Sequence, residues 1–170
     1  LTLWNNVALR KDGQVQRSEE EAKKQASADA EARAARLVTL VGTPRNGGRR
    51  LELSDANQLI ERIEIAFPPS LKVPGRSGVL DTTIDGDWIA APLLELTDGG
   101  PDTVEGRLPI RIVSQYWDAD VQREDSAIYE LVFATEGHML SGRTLRLAGV
   151  ALKQRRVGGK GDATLDTLWA

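Results

Sequence analysis

Between Gly78 and Arg156 apolar and polar residues alternate in short runs separated by turn signals, the period-two signature of half-buried strands. The runs Val79–Ile84, Trp88–Leu96, Val104–Trp117, Ala127–Ala134 and Arg143–Arg155 each read as an antiparallel β-strand. In the third run Leu108, Ile110 and Ile112 share one face and Arg107 and Arg111 the other. Tyr129, Leu131 and Phe133 alternate with Ile128, Val132 and Ala134, as in a strand buried on both faces. The last run changes phase at Ala148-Gly149, with Leu145 and Leu147 before it and Val150 and Leu152 after it, which predicts a bulge at Gly149. Asp85-Gly86 predicts a tight hairpin between the first two runs. Pro92 and Pro109 place their runs at sheet edges or bulges, because proline has no N–H to give a ladder. Thr97–Asp102 and Gly137–Gly142 read as turns, and Asp118–Ser126 as a long, exposed, highly charged loop.

The N-terminal part follows a different period. Ser18 and Glu21 have capping-box spacing, and the stretch from Glu19 to about Arg36 is rich in Ala, Glu, Lys and Arg. Glu19–Lys23, Glu20–Lys24 and Asp29–Arg33 are i,i+4 pairs that each stabilise a helix by about 0.2–0.5 kcal/mol. The apolar side of this helix is only Ala22, Ala26, Ala30 and Ala34, and alanine buries little area, so the segment reads as a connecting stalk. Asp12-Gly13 marks a turn ahead of it. Leu37–Val41 reads as a strand, Gly42–Gly48 as a loop, and Leu51 with Leu53 as the second arm of a hairpin. For residues 55–67 both a helix and a strand fit, with Ser54-Asp55 as a cap in the first case and Ile63, Ile65 and Phe67 on one face in the second.

These elements predict a mainly β fold, an antiparallel sandwich or partly closed barrel of about seven to eight strands behind one Ala-rich helix. The alternative is an α+β fold with a five-stranded antiparallel sheet and two helices. The expected organisation is an N-terminal segment and stalk over 1–36, a β-rich domain over 37–157, and a flexible or docking tail over 158–170 in which Leu165, Leu168 and Trp169 make a mildly amphipathic stripe.

Composition narrows the chemistry. The chain contains no cysteine, which excludes disulfides, thiolate nucleophiles and cysteine metal clusters. No run of eighteen apolar residues occurs, so no helix of bilayer-spanning type is expected. The start Leu-Thr-Leu-Trp reads either as a plain element or as the end of a membrane anchor lying upstream, and the second reading leans toward the extracytoplasmic side of a membrane. Net charge is −3, but from Asp81 to Glu130 twelve acidic residues face three basic ones, whereas from Met139 onward six basic residues face two acidic ones.

No catalytic pattern survives inspection. Gly42–Gly48 has a glycine where a phosphate loop needs lysine, and Gln154–Gly161 lacks the first glycine and the Ser/Thr. His138 is the single histidine, so a multi-histidine metal site is excluded, and a Ser-His-Asp site needs it beside Ser126 or Ser141 and Asp118. No cofactor is expected. An acidic balance with few aromatics argues against nucleic acid. What remains is a non-enzymatic interaction or assembly domain with a protein partner or a second copy, touching a membrane only through an upstream anchor. A small-ligand barrel with a cavity lined by Trp88, Trp117 or Tyr129 is the alternative, followed by an acidic-site hydrolase. The least generic feature is the pair of opposite charges on Asp118, Asp120, Glu124 and Asp125 and on Arg143, Arg146, Lys153, Arg155 and Arg156, the expected interaction surface.

Overall fold

The computed structural model describes residues 2–35, 37–98, 100–101, 103–138, 142–155 and 161–169, with side chains of 2–12, 34–35, 138 and 161–163 excepted. By contacts the chain divides into two compact units, Leu1–Leu37 and Val38–Ala170.

The first unit is one helix, α1 (Thr2–Ala35), about 51 Å long at 1.5 Å per residue. It begins well before Ser18, which corrects both the turn expected at Asp12-Gly13 and the capping box. Ser18 Oγ donates to the Val15 carbonyl (2.8 Å) inside a continuous helix. A lone glycine costs a helix about 1 kcal/mol, which a run this long tolerates. Residues 14–33 are exposed throughout, so α1 is held by backbone propensity and local pairs such as Gln25–Asp29 (3.0 Å).

The second unit is mainly β. Its strands are β1 (Val41–Arg45), β2 (Arg50–Ser54), β3 (Ile60–Ala66), β4 (Arg76–Val79), β5 (Thr83–Asp85), β6 (Val104–Asp118), β7 (Val121–His138) and β8 (Gly142–Arg155). They form two unclosed antiparallel sheets, of three strands in the order β1-β2-β5 and of five in the order β4-β3-β6-β7-β8. Leu51, Leu53 and Ile84 of the small sheet pack with Ile63, Ile65, Leu108, Ile110, Ile112, Tyr129, Leu131, Phe133 and Leu147 of the large one in a single core. Each of these residues recurs at every second position of its strand, as the pleat requires. Two helices complete the unit: α2 (Ala90–Leu96), whose Leu93 is fully buried, and α3 (Gly161–Trp169). The latter packs against β6 and the turn at Pro69–Leu71, with Leu165 fully buried and Asp166 accepting from the Ser70 N–H (3.0 Å). Residues 156–160, which include the start of the tail at 158, lie outside the described residues.

Several local expectations are corrected. Residues 38–40 lie outside any strand ladder, and the strand expected at Leu37–Val41 is β1, four residues later. Only Asn46-Gly47-Gly48 turns the chain, with φ of 51°, 67° and 86°. Pro44 is tolerated because β1 is an edge strand. Residues 60–66 are a strand, and no helical turn forms at Asp55, whose carboxylate instead accepts the N–H groups of Asn57 and Gln58 (2.8 Å each) and of Thr39 (2.6 Å). Val79–Ile84 is not one strand: the chain breaks at Leu80 (φ 57°), leaving β4 and β5 in different sheets.

The hairpin expected at Asp85-Gly86 is absent. The Asp85 carboxylate accepts the Asp87 N–H (3.0 Å) and starts a 3₁₀ turn, and Trp88–Leu96 continues into α2. Pro92 sits in the first turn of that helix, where its missing N–H has no partner to lose. The bulge at Gly149 is present: Val132 pairs with Gly149 and Phe133 with Leu147, leaving Ala148 extra. Pro109 lies at a local edge, since β3 pairs with β6 only over residues 111–116.

Gly106 faces Phe133 across the β6–β7 ladder, and a Cβ there would stand 2.3 Å from the ring. The ring fills the space a side chain would take. Gly106→Ala is expected to destabilise the chain by about 1–3 kcal/mol. Urea unfolding monitored by circular dichroism checks this, and an unchanged midpoint would contradict the packing described.

Candidate functional site

The two halves of the expected interaction surface lie in different surroundings. Asp118–Ser126 is not a loop. It is the closed end of the β6–β7 hairpin, with Asp118 paired to Val121, Trp117 to Gln122, Gln115 to Glu124 and Ser114 to Asp125 around the two-residue turn Ala119-Asp120. Ala119 holds φ 54° there, a left-handed conformation that a residue with a Cβ adopts at a cost. Of these acids, Asp118 pairs with Arg123 (2.7 Å) and Glu124 with the Gln115 amide (3.2 Å).

The basic residues of β8 are spent inside the fold. Arg143 donates to the carbonyls of Thr97 and Pro101 and to Thr135 Oγ1 (2.9 Å). Arg146 pairs with Glu136 (2.8 Å) and donates to the Gly47 carbonyl (3.0 Å). Lys153 pairs with Glu130 (2.6 Å), and Arg155 straps the start of the unit by donating to the Val38 carbonyl (2.6 Å) and Thr39 Oγ1. Arg156 lies outside the described residues. Arg143 and Arg155 are twelve residues apart on one strand, about 40 Å, so the basic side chains do not converge.

The end of the large sheet is organised by a residue the sequence did not single out. Ile60 pairs with Tyr116 and Arg62 with Gln115, so Glu61 is the extra residue of a bulge in β3. Its carbonyl accepts the Leu80 N–H (2.7 Å), and its carboxylate accepts the Trp117 indole N–H (2.9 Å) and the Gln122 amide (3.3 Å). One glutamate thus ties β3, the break after β4 and the hairpin end together. Gly78 permits the break, because a Cβ there would meet the Asp81 carbonyl at 2.4 Å.

Around Glu61 large apolar side chains stand in solvent. Leu59 and Leu80 are each 81% exposed, Val79 61% and Trp117 48%, and Val121, on the opposite face by its pairing with Asp118, is 53% exposed. Val79, Arg62, Gln115 and Glu124 lie on one face by register, and Trp117 is two residues on from Gln115 on that same face. Single exposed leucines are ordinary, whereas here several large apolar side chains stand at one end of one sheet. A weak signal for this end was available. Asp118 and Val121 flank the two-residue turn Ala119-Asp120, of which only Asp120 is a residue type common in turns.

The remaining chemical candidates separate in space. Ser126 and His138 are twelve residues apart on β7, about 40 Å, and Asp118 lies beyond Ser126. Ser141 and the His138 side chain lie outside the described residues. Among the described residues no group of three or more His, Asp or Glu is placed to hold a metal ion. Tyr129 is buried in the core with its hydroxyl accepting the Leu40 N–H (3.1 Å), and burial raises its pKa above the usual phenol value. Burial raises Tyr116 likewise, with nearby Asp125 adding to the shift. Trp88 packs beside the core under Arg76 (5.3 Å) and lines a cavity of about 220 Å³ with Ile63, Ile65 and Thr83. A second cavity, about 360 Å³, lies between Arg49, Asp87, Leu94 and Arg143, and a third, about 400 Å³, between Pro44, Gly47, Glu136 and Arg146. Trp117 and Tyr129 line none of these three.

Comparison of the chain with protein-family models, with curated proteins and with solved structures gives no match, so the reading of this site rests on its own geometry.

The clearest electrostatic consequence lies on the outer face of β7. Glu130 accepts from Lys153 and from Arg107 (3.0 Å), and these hydrogen bonds hold its carboxyl below the ordinary value of 4.5. A depressed folded-state pKa stabilises the fold above the ordinary value and stops doing so as pH falls through the lowered one. Glu130→Gln is expected to cost about 1 kcal/mol near pH 7, since partly exposed pairs contribute about 0.2–1 kcal/mol each. That difference should shrink as pH falls below 4.5 and through the lowered value. Chemical denaturation of both proteins across that range checks it, and a pH-independent difference would contradict the assignment.

Proposed function

We propose that the chain is a non-enzymatic interaction domain that engages a protein partner through the Glu61-centred end of its large sheet. The observation that carries this reading is Leu80. It is a leucine in a left-handed conformation (φ 57°), with its side chain almost wholly in solvent. Such a backbone costs on the order of 1–3 kcal/mol and persists where the surroundings fix it, which here the hydrogen bond to Glu61 does. Folding gains nothing from holding that side chain in water. Binding does.

The neighbouring features fit the same role. Leu59, Val79 and Trp117 extend the apolar area, and Ala119, also left-handed, turns the hairpin that carries Trp117 and Val121. Interfaces concentrate affinity in a few anchors of this kind, tryptophan foremost. Anchoring of the chain to a membrane by a segment upstream of Leu1 is compatible with this role and independent of it.

Two measurements test the reading. Leu80→Gly is expected to stabilise the fold by roughly 0.5–1 kcal/mol, because glycine adopts positive φ without penalty, while weakening association. A photo-activatable benzoylphenylalanine at position 80, in the full chain in its native cells, should give a discrete protein adduct that the same residue at Thr144 does not. The same adducts at both positions, or none at position 80, would overturn the proposal.

A further inference from the structure

We infer that the segment received by this end is a cationic amphipathic one: an apolar stripe set against Leu59, Leu80 and Trp117, flanked by lysine or arginine. The inference rests on the interaction reading above and specifies the partner. Its basis is the charge around the apolar centre. Residues 59–64, 79–82 and 115–125 carry seven carboxylates (Glu61, Glu64, Asp81, Asp118, Asp120, Glu124 and Asp125) against two arginines, and of these Asp118, Arg123 and Asp125 lie by register on the sheet face opposite Trp117. Both arginines are already paired, Arg62 with Glu64 (3.1 Å) and Arg123 with Asp118 (2.7 Å). The net charge of −5 at this end exceeds the −3 of the whole chain, which leaves +2 for everything else.

The field selects among occupants. An anionic phospholipid surface meets like charge, which suppresses association. A second copy offering the same face brings its own −5 against the first, so a two-fold dimer through this end is opposed. A neutral apolar partner would desolvate carboxylates such as Glu61 and Glu124 and bring no charge of its own to offset that, which costs free energy. A cationic flank removes that cost and steers the approach. Trp117 adds a seat for such a cation, because its indole N–H is held by Glu61 while about half of the side chain remains exposed.

The test uses the full chain, isotopically labelled, and two synthetic peptides of about fourteen residues. One has leucines at i, i+3, i+4 and i+7 with lysines elsewhere, and the other has glutamates in place of the lysines. The lysine peptide should shift the resonances of 59–62, 79–81 and 116–122 and the Trp117 indole, and the glutamate peptide should shift none. Affinity should fall about tenfold between roughly 50 and 300 mM salt, as screening of exposed charges requires. Leu80→Ser and the double variant Asp120→Asn, Glu124→Gln should each weaken binding about fivefold or more. Equal binding of both peptides overturns the inference, as does a response spread over the sheet. So does binding to anionic vesicles at the same salt, or a dimer in sedimentation that Leu80→Ser abolishes. A position-80 adduct without lysine-peptide binding removes the partner's chemistry and leaves the interaction reading intact. Absence of both removes both.

Discussion

Fifteen consecutive residue pairs join β6 and β7, from Val104 with Thr135 to Asp118 with Val121, and the rest of the second unit is arranged on that ladder. The ladder is longer than the core it serves. The small sheet covers its inward face, where Leu108, Ile110, Ile112, Tyr129, Leu131 and Phe133 are buried together. The flanking strands are staggered: β3 pairs with residues 111–116 of β6, whereas β8 pairs with 127–138 of β7. That stagger leaves the hairpin end, residues 117–122, beyond both neighbours. A sheet with a staggered end presents side chains with no neighbouring strand to cover them, and here those side chains include Trp117 and Val121.

What could be read from the sequence follows from this arrangement. Where a strand has one face on the core, its period of two is plain, and Val104–Trp117, Ala127–Ala134 and Arg143–Arg155 all proved to be strands. The bulge at Gly149 was legible because a change of phase in a half-buried strand leaves a trace in which residues are apolar. The hairpin end was not legible as strand, since Gln122-Arg123-Glu124-Asp125 pair in solvent and no apolar face records the pairing. Asp85-Gly86 misled for a different reason. An aspartate that accepts the N–H two residues on begins a 3₁₀ turn as readily as a hairpin, and tertiary burial of Ile89 and Leu93 settled it. Leu80 and Ala119 lay beyond reach, because nothing in a leucine or an alanine announces a positive φ.

The charge asymmetry of the chain acquires a different meaning in three dimensions. Acids and bases that looked like two halves of one surface are used unequally. The bases of β8 donate to carbonyls and carboxylates that close the fold, at Thr97, Glu136, Glu130 and Val38. Many of the acids instead gather at an end whose apolar residues contribute nothing to the core. Internal pairing explains the first group without reference to a partner. The second group is paired in part as well, Asp118 with Arg123 and Glu64 with Arg62, and it is this group that the proposed partner would meet.

The central claim is that this end is a fixed surface, held by the bulged Glu61, and not a mobile loop that happens to carry leucines. Amide and indole hydrogen exchange in the full chain tests it directly. The Leu80 amide, bonded to the Glu61 carbonyl, and the Trp117 indole N–H, bonded to its carboxylate, should exchange about a hundredfold or more slowly than unstructured groups. Glu61→Ala should release the indole while leaving the Leu80 amide protected. Exchange of both groups at unstructured rates in the unaltered chain would contradict the account.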